Sequence, residues 1–241
     1  MLKYHWIRWC LFLVLGLSIT GCSGRLAKHD MQLFWVAPPV TTQKSAPAML
    51  PVILGIARPT AEPGFSTRRM TYRDEQGLIH YYAYHQWLAE PAQMIALHAH
   101  QSLEQAKMVT QVVTSSHSAA LSDVELELHL LYLYQDFTTQ PSTLRLGLKV
   151  RLIDKKTRHI LGGRTWLREK ETGNDAKSSA QSFHQMLTEI DEELPDYCYR
   201  ILSLPDGALS GWINVINRLA DDATAQISYT NARLVEDKSN G

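Results

Sequence analysis

The fold is decided by 123-DVELELHLLY-132 and, a few residues on, 143-TLRLGLKVRLID-154. In the first, Val124, Leu126, Leu128 and Leu130 alternate with Glu125, Glu127 and His129. In the second, Leu144, Leu146, Leu148, Val150 and Leu152 alternate with Arg145, Lys149 and Arg151. A period of two puts the apolar residues on one face of a strand. The intervening 136-DFTTQPS-142 turns the chain back antiparallel. An in-phase register then sets Glu127 against Arg151 on the outer face, with Glu125 close by. Such opposite charges contribute a few tenths of a kcal/mol to about 1 kcal/mol, so they fix register more than stability. The next turn is 154-DKKTRH-159, and 159-HILGGRTWLRE-169 is the third strand of a meander.

Upstream, 31-MQLFWVAP-38 reads as a strand closed by Pro38 and Pro39, and 40-VTTQKSAPAM-49 as a loop. The nearly continuous apolar core of 50-LPVILGIARP-59 suits a strand covered on both faces. After a turn signal at Pro63-Gly64, residues 68–90 form a predicted hairpin turning near Asp74 to Gly77. Residues 90–107 form a predicted helix with Pro91 in its first turn and a stripe of Met94, Leu97, Leu103 and Ala106. The segment 108-MVTQVVTSS-116 reads as a strand and 116-SHSAALSD-123 as a loop. Downstream of the meander, residues 174–202 space Phe183, Met186, Leu187, Ile190 and Leu194 as a helix. Asn174 or Asp175 caps it, and Pro195 predicts a kink or break. Its acidic run from Glu189 to Glu193 reads as a solvated face. Residues 206–227 form another amphipathic helical pattern, followed by a polar tail. This order predicts an α+β fold: a mixed, largely antiparallel sheet with two main helices packed on one face, plus a C-terminal helical extension.

The N-terminus carries Lys3 and Arg8 without acids, then an 11-residue apolar run from Cys10 to Thr20. That run is too short to span a bilayer, which takes about 20 apolar residues. It ends in Ile19-Thr20-Gly21-Cys22, which resembles a bacterial lipobox. The expected chemistry is a diacylglyceryl thioether on Cys22, cleavage before it and acylation of the new amine. Two or three acyl chains hold a protein stably on a membrane where one does not. In lipoproteins of this kind an Asp after the cysteine retains the protein at the inner membrane. Ser23 therefore implies the outer membrane, periplasmic face. The expected organisation is signal peptide 1–21, tether 22–31, domain 32–204, and helical extension with polar tail 205–241. Removal of the signal leaves 22 basic and 24 acidic residues, a formal net charge of −2. That balance gives no concentrated basic face, and no nucleic-acid partner is expected. With Cys10 removed and Cys22 acylated, only Cys198 remains, so no intramolecular disulfide is possible. Cys198 falls in a predicted helix and reads as a buried structural thiol.

Chemical motifs are absent from the sequence. His98 and His100 are about 200° apart on a helix and cannot share a ligand face. There is no G-x-S-x-G, no phosphate-binding Gly-rich loop and no H-E-x-x-H. We expect no metal, no cofactor and no enzymatic activity.

Three segments together carry a family resemblance: 34-FWVAPP-39, 58-RPTAEPGFSTRRMTYRD-74 and 81-YYAYHQWLAEPAQMI-95. The chain resembles the ABC-type transport auxiliary lipoproteins over roughly residues 32–200. That resemblance implies an accessory role beside an MCE-domain protein of an inner-membrane transport complex that moves lipid between membranes, with a homo-oligomeric ring as a possible assembly. Arg69, Tyr72, Tyr82, Tyr84 and Trp87 are the candidate partner-binding residues. Strict alternation places Tyr82 and Tyr84 on one strand face, and Tyr81, His85 and Trp87 on the other. One face is then core and the other a docking surface, or both are buried. Arg68, Arg69 and Arg73 face lipid headgroups, an acidic partner or solvent. The alternative function is binding of a small apolar ligand or lipid between sheet and helices.

Overall fold

One long strand organises the sheet. The computed structural model describes residues 30–38, 45–114 and 121–204. The signal, Cys22, most of the tether and the extension from 205 lie outside the described residues, as do 39–44 and 115–120. The strands are β1 (Gln32–Phe34), β2 (Leu50–Ile56), β3 (Thr60–Ala61), β4 (Arg69–Arg73), β5 (Ile79–Trp87), β6 (Val109–Thr114), β7 (Val124–Asp136), β8 (Thr143–Asp154) and β9 (Ile160–Glu171). The helices are α1 (Pro91–Ala106) and α2 (Ala176–Leu202). Among the described residues these strands form one mixed sheet, running β1-β5-β4-β7-β2-β6, with β8 on β7 and β9 on β8.

Along one edge of β7, three short strands sit end to end and parallel to it. β2 pairs at Leu54↔Val124, β3 at Thr60↔His129 and β4 at Tyr72↔Gln135. The other edge carries the antiparallel meander β7-β8-β9. Glu127 stands opposite Arg151, with Arg151 Nη2 2.7 Å from Glu127 Oε2. An extra residue at Leu131 shifts the β7–β8 register. It moves the inner face from Leu130 to Leu133 and turns Tyr132 and Tyr134 outward. Gly147 opposite makes this possible, because a Cβ there would meet the Tyr132 ring at 2.7 Å.

The inner face is the core. Leu126, Leu130, Leu146, Val150, Leu152 and Phe183 are fully buried, each contributing about 1.5–3 kcal/mol by leaving water. Both helices cover it: Ile95 and Ala99 of α1 and Leu187, Ile190 and Leu194 of α2 surround Leu128, Leu148 and Val150. In α1 the buried arc runs through Met94, Ile95, His98, Ala99, Ser102 and Leu103, while Leu97 is only half-buried. Asp175 caps α2, accepting from the Ser178 amide at 2.9 Å.

Two expectations about α2 need correction. It does not break at Pro195 but continues as one helix to Leu202. Leu194, Tyr197 and Cys198 are buried on both sides of the proline, so packing holds the turn that a missing amide would otherwise open. The acidic run is solvated only in part: Glu189 and Glu192 are exposed, while Asp191 and Glu193 turn inward. Asp191 is buried, and Glu193 accepts from Trp166 Nε1 at 2.8 Å and Arg164 Nη2 at 3.0 Å and pairs with Arg168. Glu189 takes Lys170 Nζ at 2.8 Å. These carboxylates tie α2 to β9. Cys198 is fully buried, and burial pushes its thiol well above the ordinary range.

Candidate functional site

The aromatic hairpin β4–β5 and the edge strand β1 form the candidate site. Asp74 shapes the hairpin turn, accepting from the Leu78 amide at 2.8 Å, with Gly77 at φ +85°. β1 adds to β5 in parallel, Leu33 beside Gln86 and Phe34 beside Trp87. A 2.8 Å hydrogen bond from the Leu88 amide to the Phe34 carbonyl extends the pairing.

The two faces of β5 are not those that strict alternation predicts. Arg69 pairs with Gln86 but Thr71 pairs with Tyr81, so β5 carries extra residues between them. This bulge reverses the parity of the strand. Tyr82 therefore lies with His85, their rings 5.6 Å apart, and not with Tyr84. On the helix side the rings form a continuous row. Phe34 stacks on His85 at 5.9 Å, Tyr82 meets Tyr72 at 4.9 Å, and Tyr72 contacts His80 and Phe137. Trp87 ends the row in the core, against Phe183 at 5.3 Å.

The five candidate residues thus divide. Trp87 is buried; Tyr72 and Tyr82 are half-buried within the ring row; Arg69 and Tyr84 are exposed. Tyr82 is tied inward by its hydroxyl, which donates to Gln135 Oε1 at 2.6 Å, and burial raises its ionisation well beyond the ordinary phenol range. Gln135 is itself fully buried and satisfied. It donates to Ser142 Oγ at 2.9 Å and the Gly173 carbonyl at 2.8 Å, and accepts from Ser179. Arg69 lies over the Tyr81 ring at 4.5 Å.

On the outer side, Leu33, Trp35, Tyr81, Tyr84 and Leu88 are each between 41% and 49% exposed. They lie on the outer side of β1 and β5 and of the residues that directly follow these strands, and together form an exposed apolar face. Round the sheet edge from Trp35, a groove of about 730 Å³ opens between residues 34–37 and α2, bordered by Lys177, Ala180, Gln181 and His184.

Two buried aspartates hold this region from either side. His98 Nδ1 lies 2.7 Å from Asp191 Oδ2, and its Nε2 faces the Val36 carbonyl at 3.3 Å. The pair joins both helices to the chain leaving β1. Burial raises the Asp191 carboxyl despite the His98 hydrogen bond. Asp136, at the far end of β7, is fully buried between Arg73 and Arg145 and accepts from the Thr138 amide at 3.0 Å. Burial opposes its charge, but Arg73 and Thr138 hold the carboxyl well below the usual range. Neither aspartate stood out in the sequence reading, yet a signal existed for one pair. Asp191 lies four residues after Leu187 and three before Leu194, and His98 three after Ile95, so both belong to buried helical arcs. His98 has both ring nitrogens engaged, and His100 instead approaches Glu104 at 3.5 Å. Among the described residues no cluster of three metal-ligating side chains occurs, and no helix is long and apolar enough to cross a membrane.

Known proteins resemble this architecture. No match was found among curated protein sequences. A solved structure from Xanthomonas campestris, assigned to DUF330, superposes with a TM-score of 0.61 at 19% identity, over 70% of this chain and 95% of its own. A second, described only as an uncharacterized protein, gives 0.53 at 9% identity, over 70% and 99%. At such identities the likeness is one of fold. The family model for the ABC-type transport auxiliary lipoprotein component matches residues 32–194, which takes in the whole sheet and the first two-thirds of α2. The chain belongs to the ABC-type transport auxiliary lipoprotein component family.

Proposed function

We propose that this protein is an outer-membrane-anchored periplasmic lipoprotein that serves as the accessory subunit of an MCE-type lipid transport system. What carries the reading is the conjunction of the family match over residues 32–194 with the Ile19-Thr20-Gly21-Cys22 motif upstream of it. The acylated Cys22 holds the domain at the periplasmic face of the outer membrane. The domain docks a transport complex, as a ring of subunits, and performs no chemistry of its own. Crosslinking in intact cells, detergent extraction and identification of captured proteins test the role. Recovery of an MCE-domain protein is the expected result; a lone monomer after gentle crosslinking would sink the proposal. The anchor has a separate test. Cys22→Ala leaves unprocessed or soluble protein, and a variant that still fractionates with the outer membrane would remove lipidation as the cause of placement.

A second reading is favoured by the groove beside α2. Its apolar floor of Phe34, Val36 and Ala180 and its Lys177 rim suit a small amphiphile with an anionic head. Sites of this kind are concave and apolar with a few polar groups. Native mass spectrometry after mild extraction decides: a stoichiometric bound lipid supports it, and an empty protein rejects it.

A further inference from the structure

The outer patch of Leu33, Trp35, Tyr81, Tyr84 and Leu88 meets the groove only at Trp35, which lines both, and lies across the sheet from the row of rings under the helices. It is held rigidly. Leu33 and Trp35 alternate with the inward Phe34 and Val36, and β1 is locked to β5 through the Phe34↔Trp87 register. Leu33, Tyr81 and Tyr84 of the patch stand on strands, and Trp35 and Leu88 follow directly after β1 and β5, where the Leu88 amide bonds the Phe34 carbonyl at 2.8 Å.

We propose that this patch is a membrane-facing surface that seats in the interfacial layer of a phospholipid bilayer. The proposal rests on the reading of Cys22 as the anchor. Two observations select lipid. The first is reach. Eleven residues lead from Cys22 to Leu33, a span of at most about 40 Å when fully extended. The tether enters at β1, which contributes Leu33 and leads into Trp35, so this end of the patch is the part of the domain nearest in sequence to an anchor at Cys22. The second is chemistry. Trp and Tyr concentrate at membrane interfaces, where an amphipathic ring meets both headgroup and acyl chain. Leu33 and Leu88 add apolar area between them. Arg69, spread over the Tyr81 ring at 4.5 Å, presents a guanidinium suited to the phosphate of a headgroup. Acyl chains bring the protein to the surface; the patch sets which way the domain faces once there.

Tryptophan quenching by brominated lipid tests this on the full chain, expressed in a Gram-negative host and reconstituted in phosphatidylethanolamine–phosphatidylglycerol vesicles. Trp87 and Trp166 are buried, Trp212 is replaced by Phe in every form, and Trp35→Phe then isolates the signal of Trp35. The expected result is bromolipid quenching in the form that keeps Trp35, lost when Trp35→Phe is added. Leu33→Ser with Leu88→Ser, which leaves Trp35 in place, reduces the same quenching. Intact mass measured on the same sample reports separately whether Cys22 is acylated. Acylated protein with equal quenching in both forms overturns the membrane-facing surface while leaving the anchor standing. Quenching of Trp35 with a bare Cys22 overturns the anchor and keeps the surface. If Trp35 is shielded from aqueous iodide yet untouched by bromolipid, protein covers the patch, whether a second copy or a partner, and the proposal fails.

Discussion

The meander β7-β8-β9 and the edge β1-β5-β4 are built from similar residues and use them in opposite ways. In the meander, Leu126, Leu146, Val150 and Leu152 face inward and are fully buried, with charges outside. At the edge, Leu33, Trp35, Tyr84 and Leu88 remain nearly half exposed although the helices cover the other face of the same strands. The difference teaches where apolar burial is complete and where it is not. Apolar area in the meander is already withdrawn from water. Area at the edge is still available for withdrawal by something outside the domain.

Mutations sharpen that division. Phe183→Ala removes a fully buried ring that both covers the sheet and meets Trp87. It is expected to cost about 3–5 kcal/mol in urea unfolding; a loss below 1 kcal/mol would mean that the helix layer can collapse around the gap. Gln135→Leu strands the Tyr82 and Ser179 hydroxyls and the Gly173 carbonyl. The expected loss is about 1–3 kcal/mol, because the orphaned groups keep their desolvation penalty. A neutral result would separate the ring row from the stability of the helix face.

The two buried aspartates give a pH test with opposite signs. The Asp136 carboxyl is lowered, so its contribution is present above the ordinary value of 3.8 and is lost as pH falls through the depressed one. The Asp191 carboxyl is raised, so its contribution is present below 3.8 and is lost as pH rises through the raised one. Thermal unfolding of Asp191→Asn against the unaltered protein is expected to shift in the variant's favour as pH rises from about 4. For Asp136→Asn the shift in the variant's favour comes as pH falls below about 4. Parallel curves for either pair would break the assignment. The smallest effect belongs to the edge: Tyr84→Ser is expected to stay within about 0.5 kcal/mol of the unaltered stability. A larger loss would show that the patch belongs to the core after all.

How far the sequence reveals this division follows from the kind of signal each region carries. The meander announces itself by period two, and the Glu127–Arg151 register follows from charge placed on that period. Both helices are legible from apolar spacing and from Pro91 and Asp175 at their starts. The edge is misread because a bulge in β5 opposite Arg69–Thr71 changes parity without any residue that marks it. A bulge is set by what the strand must pack against, and that information is distant in the chain. Asp191 and Glu193 are hidden for a related reason. A carboxylate in an acidic run is ordinarily solvated, and only partners such as His98 and Trp166, 93 and 27 residues away, make burial possible.

The end-to-end seating of β2, β3 and β4 along one edge of β7 also bears on how the chain comes to be folded. Synthesis proceeds from the N-terminus, so these strands exist before the strand that joins them. Ile56 must wait for Leu126, and Arg73 for Asp136. Parallel pairings across such separations carry a closure entropy that local hairpins do not, and they form slowly. The meander, by contrast, closes through adjacent turns. The edge that β2, β3 and β4 share with β7 is therefore the last part of the first half to close. Before β7 arrives, the first half can pair β4 with β5, β1 with β5 and β2 with β6, yet one edge of β2, β3 and β4 stays open, the kind of edge a chaperone protects in a nascent chain.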